Sequence, residues 1–344
     1  MRKILLRGFI VLSAFSLLIL PAAGAWAQVI SIDTRVEHYV HGNGELPHGR
    51  SPNEDDKWTI SPSDNKVEIK TGGSVANENY EVDVFGGYSD YGVVNDTGNE
   101  DDIDAKNNCV TVSGTVEGNV YGGCTIADGG SAIGNTVVIY GTVTGNVYGG
   151  SSDDGDAINN TVRITGSPDV KGILYGGEAE EGISEGNALW LESAVTVAGL
   201  GDFQKLSFTL PRGTKNGDVI LKVIELPSRD ITESYYGMAN IDGAAVEISG
   251  DFSSLGIGDK TTLIDAVRLE GEPANTSVRS GGIEFRISKE GNKLVATVAS
   301  EPEPGNPDSS GGCDAGGTFA GLLITILFVL DRMFYAARGK KILK

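Results

Sequence analysis

Apolar and polar residues alternate in short runs through the middle of the chain, and the runs recur. Val110 and Val112, Val137 and Ile139, Val162 and Ile164, and Leu189 and Leu191 are each two residues apart. That spacing puts both side chains on one face of a β-strand. Val67 and Ile69 fall into the same two columns, and an asparagine precedes each pair, at Asn65, Asn108, Asn135, Asn160 and Asn187. Further along each copy, Tyr121, Tyr148 and Tyr175 recur every 27 residues, each followed by a Gly-Gly pair. A fixed period of this size marks a repeat architecture. β-branched residues separated by Gly, Asn and Asp make strands and turns rather than helices. One copy cannot bury its own apolar side, whereas copies stacked about 4.8 Å apart can. The pattern therefore predicts an all-β fold, a parallel β-solenoid of 27-residue coils over residues 61–192, with about five coils.

The two aliphatic columns should form the core wall, and the asparagine column a ladder of amides bonded along the stack. Val84, Val120, Val147 and Leu174 make another apolar column, beside Phe85, Tyr121, Tyr148 and Tyr175. Neighbouring strand residues face opposite ways. We place the aliphatic column inside, leaving the aromatic one outside or against a loop, where it either packs or stacks on a sugar. Insertions follow the Gly-Gly pairs and are acidic, with Asp153, Asp154 and Asp156 in one of them. Loops on one side of a solenoid are often its binding face. Beyond residue 192 the repeat fades into irregular alternation, read as a β cap over 193–300 that hides the open end of the stack. Residues 301–312 form an acidic Pro/Gly linker, and 28–60 are polar and carry no repeat.

The two ends have a different character. Arg2, Lys3 and Arg7 precede an apolar run that closes at Ala25-Trp26-Ala27, the build of a secretory signal peptide cut between Ala27 and Gln28. At the other end an uncharged apolar run, 315–330, leads to Arg332, Arg338, Lys340, Lys341 and Lys344. A span needs roughly 20 residues, which this run reaches if Arg332 snorkels to the interface. The basic cluster should stay cytoplasmic, so 313–344 reads as one C-terminal transmembrane helix that leaves the body outside. Three basic residues before position 28, and five basic against two acidic after 312, leave 28–312 at −26 within a chain of net charge −20. So acidic an exterior repels nucleic acid. In an oxidising compartment Cys109 and Cys124 could pair.

The Asn-Thr-Val and Gly-Asn-Val-Tyr-Gly-Gly pieces resemble passenger domains of autotransporter-type surface proteins. Phe208-Thr209-Leu210-Pro211, Gly217-Asp218 and the stretch from Gly258 to Asp265 are similar to the membrane-proximal end of such passengers. The resemblance covers about residues 60–300. A linker and one apolar run follow residue 300, rather than the many strands of a transporter barrel. The tail, with Gly311-Gly312-Cys313 before the apolar run, resembles the C-terminal sorting tails of Synergistetes-type bacteria. That resemblance implies processing by a membrane protease at the small-residue motif, with Cys313 as the chemical handle. Delivery to the cell surface or outer membrane would follow; without processing, the chain would stay anchored with its body outside the cytoplasm.

Candidate chemistry adds little to this. Asp153-Asp154 matches the paired carboxylates of a glycosidase only superficially, since neither His nor Arg accompanies the pair. There is no G-x-S-x-G, H-E-x-x-H or Walker A pattern. His38, His41 and His48 lie in a Gly/Pro-rich stretch and are weak metal candidates. Acidic turns at each coil offer oxygen ligands to calcium, with Asp153, Asp154 and Asp156 the candidates, but the calcium nonapeptide Gly-Gly-x-Gly-x-Asp is absent. The sequence points to a non-enzymatic, structural or adhesive surface protein that needs no cofactor. Its partners would be the export machinery, the cytoplasmic membrane, the tail protease and a host or cell-surface glycan or protein. A polysaccharide-acting β-helix enzyme and a calcium-binding repeat protein are the alternatives.

Overall fold

The computed structural model describes residues 28–43, 61–89, 103–225 and 234–300. The predicted signal peptide with Ala27, His48, the linker, Gly311, Gly312, Cys313 and the C-terminal apolar run lie outside the described residues. Within them every regular element is a strand, and no helix is long and apolar enough to cross a membrane.

The chain winds into stacked coils of short strands, each paired in parallel with its counterparts above and below. The coil from Thr136 shows the unit: strands Thr136–Ile139, Thr142–Val143, Val147–Tyr148, Ser151–Ser152 and Ala157–Ile158. Each belongs to a different sheet. The register follows the predicted columns, with Val137 paired to Val110 and Val162, and Ile139 to Val112 and Ile164. Those side chains are fully buried and line one continuous apolar core.

The stack is longer than the legible repeat. Its first sheet has eight strands, one per coil. Gln28–Ile32 heads it, in parallel register with Asn65–Ile69, so residues 28–43 form a first coil rather than a separate polar segment. At the other end Lys205–Leu210 and Ala245–Gly250 continue the same sheet, and parallel coils persist to Glu270. Only the final strands, Ser277–Ser280, Ile283–Glu290 and Lys293–Ser300, turn antiparallel. They place Phe285 and Leu294 in the core and end the stack.

Buried asparagines tie the coils together. The backbone N–H groups of Asn65, Asn108, Asn135 and Asn160 donate to the Oδ1 of the asparagine one coil later, at 2.9–3.0 Å. The Nδ2 groups of Asn108, Asn135 and Asn160 donate to the same oxygens at 3.0–3.2 Å. Gln204 closes the ladder below, its Oε1 accepting from the Asn187 N–H at 2.9 Å. Buried amides are tolerated here because those of Asn108, Asn135, Asn160 and Asn187 are bonded on both their oxygen and their nitrogen. The residue before each asparagine is Asp64, Asn107, Gly134, Asn159 or Gly186, and all five have positive φ, between 54° and 69°. Gly, Asn and Asp are the types that enter this region at least cost.

Candidate functional site

The aromatic column is the most distinctive surface-side feature. Phe85, Tyr121, Tyr148 and Tyr175 stack face to face, with centroids 4.8, 4.5 and 4.6 Å apart and rings within 6° of parallel. His41 extends the stack onto Phe85 at 5.0 Å, and Tyr235 closes the far end edge-on against Tyr175 at 5.7 Å. Strand register forces this arrangement, because Tyr121 pairs with both Phe85 and Tyr148. The rings cover one another: Tyr148 and Tyr175 are buried, in a second apolar cluster with Ile173 and Ala198. The aliphatic column lies in the main core, and the aromatic one packs. A stack whose faces are already occupied presents edges, not faces, to a sugar ring.

Carboxylates surround the stack. Burial pushes Asp83, Glu178 and Asp202 above the usual carboxylate range, and the neighbouring Asp202 charge pushes Glu178 further. Asp202 accepts a 2.7 Å hydrogen bond from the Tyr235 hydroxyl, while Glu178 faces the Ser151 hydroxyl at 3.5 Å. Burial, with a smaller contribution from His38, lowers His41 to about 4, so it is neutral at pH 7.

Two further ladders tie successive coils together. On one, Asn119, Asn146 and Ile173 donate their N–H groups to Asp83 Oδ1, Asn119 Oδ1 and Asn146 Oδ1 at 2.6, 2.7 and 2.9 Å. On the other, Ser131, Asp156 and Ile183 donate to Asp104 Oδ1, Ser131 Oγ and Asp156 Oδ1 at 2.7, 3.1 and 3.1 Å. Their acceptors lie one coil earlier, opposite in sense to the asparagine ladder. Sequence reasoning missed both, because each column mixes residue types; the shared signal is a short acceptor side chain just before a strand.

This changes the reading of the acidic insertion. Asp156 is a structural acceptor between coils, and Asp153 and Asp154 are exposed on the turn beside it. Among the described residues no three His, Cys, Asp or Glu side chains come together in a way that could hold a metal ion. The expected disulfide is not formed either: Cys109 and Cys124 are both free thiols. They lie in different sheets of one coil, Cys109 on Cys109–Val112 and Cys124 on Cys124–Thr125. Burial raises both thiols above their ordinary value, which disfavours the reactive thiolate.

A groove of about 440 Å³ is lined by Val170, Val195, Val197, Ile220, Lys171 and Lys222. It lies where one sheet ends at Asp169–Val170 and another begins at Val195–Val197. It holds no carboxylate pair or nucleophile set. No protein-family model, curated protein or solved structure matches the chain.

Proposed function

We propose that this is an exported, non-enzymatic cell-surface protein, a β-solenoid scaffold with a structural or adhesive role. Its C-terminal sorting tail, with Gly311, Gly312 and Cys313, would display it at the surface or hold it in the membrane with the body outside. One observation carries the reading: the polar columns that recur through the coils are engaged in coil-to-coil hydrogen bonds. A repeat whose recurring polar groups face their own neighbours is built for stacking. The leader, the basic end of the tail and the −26 charge of residues 28–312 support a solvated life outside the cytoplasm. Surface labelling of intact cells, followed by a glycan array with the purified protein, tests the proposal. Labelling from outside with either glycan binding or self-association is expected; a protein reached only after lysis contradicts it.

One observation favours a second reading. Glu178 and Asp202 are neighbouring, half-buried carboxylates with raised affinity for protons, a condition also met in glycosidases. Release of reducing ends from a polysaccharide panel, abolished by Glu178→Gln, would favour it over a scaffold.

A further inference from the structure

The asparagine ladder has an unfinished end. In the coils below, each ladder Oδ1 accepts from the backbone N–H one coil earlier. Asn65 Oδ1 is buried, yet has no donor among the described residues. The residue in register above Asn65 is Gln28, whose Oε1 is also buried without a partner. Two buried acceptors without a donor therefore sit on residues paired in register, and a buried acceptor left unpaired carries a substantial penalty. At the opposite end of the ladder a glutamine, Gln204, completes the bonding.

We propose that the N-terminus released by export processing is the missing donor. Resting on the reading of cleavage after Ala27, the α-ammonium of Gln28 docks on Asn65 Oδ1 and closes the ladder. Cleavage exchanges one directional amide N–H for three rotatable, charged donors at the position where the acceptors lack partners. A hydrogen bond with a charged partner is also roughly twice as strong as a neutral one. The first coil is thus secured by maturation, and Asn65 is the receptor for the new terminus.

This docking has a chemical signature. A free N-terminal glutamine cyclises: the neutral α-amine attacks its own Cδ, an N–Cδ bond forms, the Cδ–Nε2 bond breaks, and the side-chain nitrogen leaves as ammonia with a proton from the amine. An amine held protonated on Asn65, within an extended strand, is poorly placed for that attack.

The test uses the full chain exported by a bacterial host that removes signal peptides, with the mass of the N-terminal peptide followed during incubation. Folded wild type and Asn65→Asp, which keeps an acceptor oxygen, should hold Gln28 linear. Asn65→Ala, and wild type in denaturant, should cyclise on the order of tenfold faster, the effect of losing a charged hydrogen bond. Equal rates for folded and denatured wild type would overturn the docking while leaving the cleavage site intact. A first residue other than Gln28 would overturn the processing reading, and the docking with it. If Asn65→Ala does not fold, the pH at which wild type begins to cyclise decides: an amine held protonated on Asn65 starts to cyclise at a higher pH in the folded protein than in the denatured chain, and the same onset in both overturns the docking.

Discussion

Asn135 is bonded on both sides. Its N–H and Nδ2 reach Asn160 Oδ1, its Nδ2 also reaches the Ala105 carbonyl, and its Oδ1 receives two donors from Asn108. Asn135→Ala would leave several buried groups unpaired, so we expect a loss on the order of 3–5 kcal/mol in urea unfolding. Gly123 is fixed by the same side chain, since a Cβ there would lie 2.6 Å from Asn135 Nδ2. Gly123→Ala should therefore destabilise, whereas Gly256→Ala, whose Cβ would meet nothing closer than 3.8 Å, should not. His41 adds a pH term. Its folded value of about 4 lies below its ordinary 6.5, so the unfolded chain binds the proton more readily. The stability it contributes is whole above pH 6.5 and falls as pH drops from there toward 4. His41→Phe continues the stack without a titrating group. The variant should gain about 3 kcal/mol on wild type between pH 7 and pH 4, measured by unfolding at both pH values. The raised carboxylates Asp83, Glu178 and Asp202 have the opposite sign, but both proteins share them, so they cancel in the comparison. An unchanged difference between the two proteins would refute the burial of His41.

Single strands here are two to six residues long for most of the stack, too short to stand alone, so their stability comes from pairing and from the columns they align. The aromatic column shows how specific that alignment is. Tyr148→Phe retains the ring and loses one 3.2 Å hydrogen bond from Asn146 Nδ2, a change of about 1 kcal/mol. Tyr148→Ala removes a ring stacked on both faces and should lose about 3–5 kcal/mol. Thermal unfolding of the pair separates packing from hydroxyl chemistry; a large loss in Tyr148→Phe would mean that the hydroxyl, not the stack, matters. The antiparallel strands at the end of the stack are the other decisive element. Phe285 is fully buried there and meets Phe252 edge-on at 5.0 Å. Phe285→Asp should loosen the cap and expose strand edges, giving concentration-dependent association in size-exclusion chromatography.

At the scale of the whole molecule, the coils were legible where the repeat is regular. Val137, Val162 and Asn135 recur at nearly fixed spacing, and a buried polar column at that spacing has few explanations besides a ladder. The first coil was not legible, because a long insertion separates Gln28 from its partner Asn65. The later coils were hidden for the same reason: Lys205 pairs with Ala245 across a much longer turn of chain. The candidate site was less legible than the fold. Asp156 reads as an acidic loop residue in sequence, and only the structure shows its Oδ1 accepting from Ile183. Nor does sequence show that Cys109 and Cys124 belong to different sheets. Export and display by the tail would both act on the ends of the chain. The intact mass of the protein from native envelopes, with both terminal peptides identified, tests them together. An exported scaffold displayed by its tail starts at Gln28 and ends beside Gly312 or at a modified Cys313. A chain running unmodified from Met1 to Lys344 in the soluble cell fraction would contradict it.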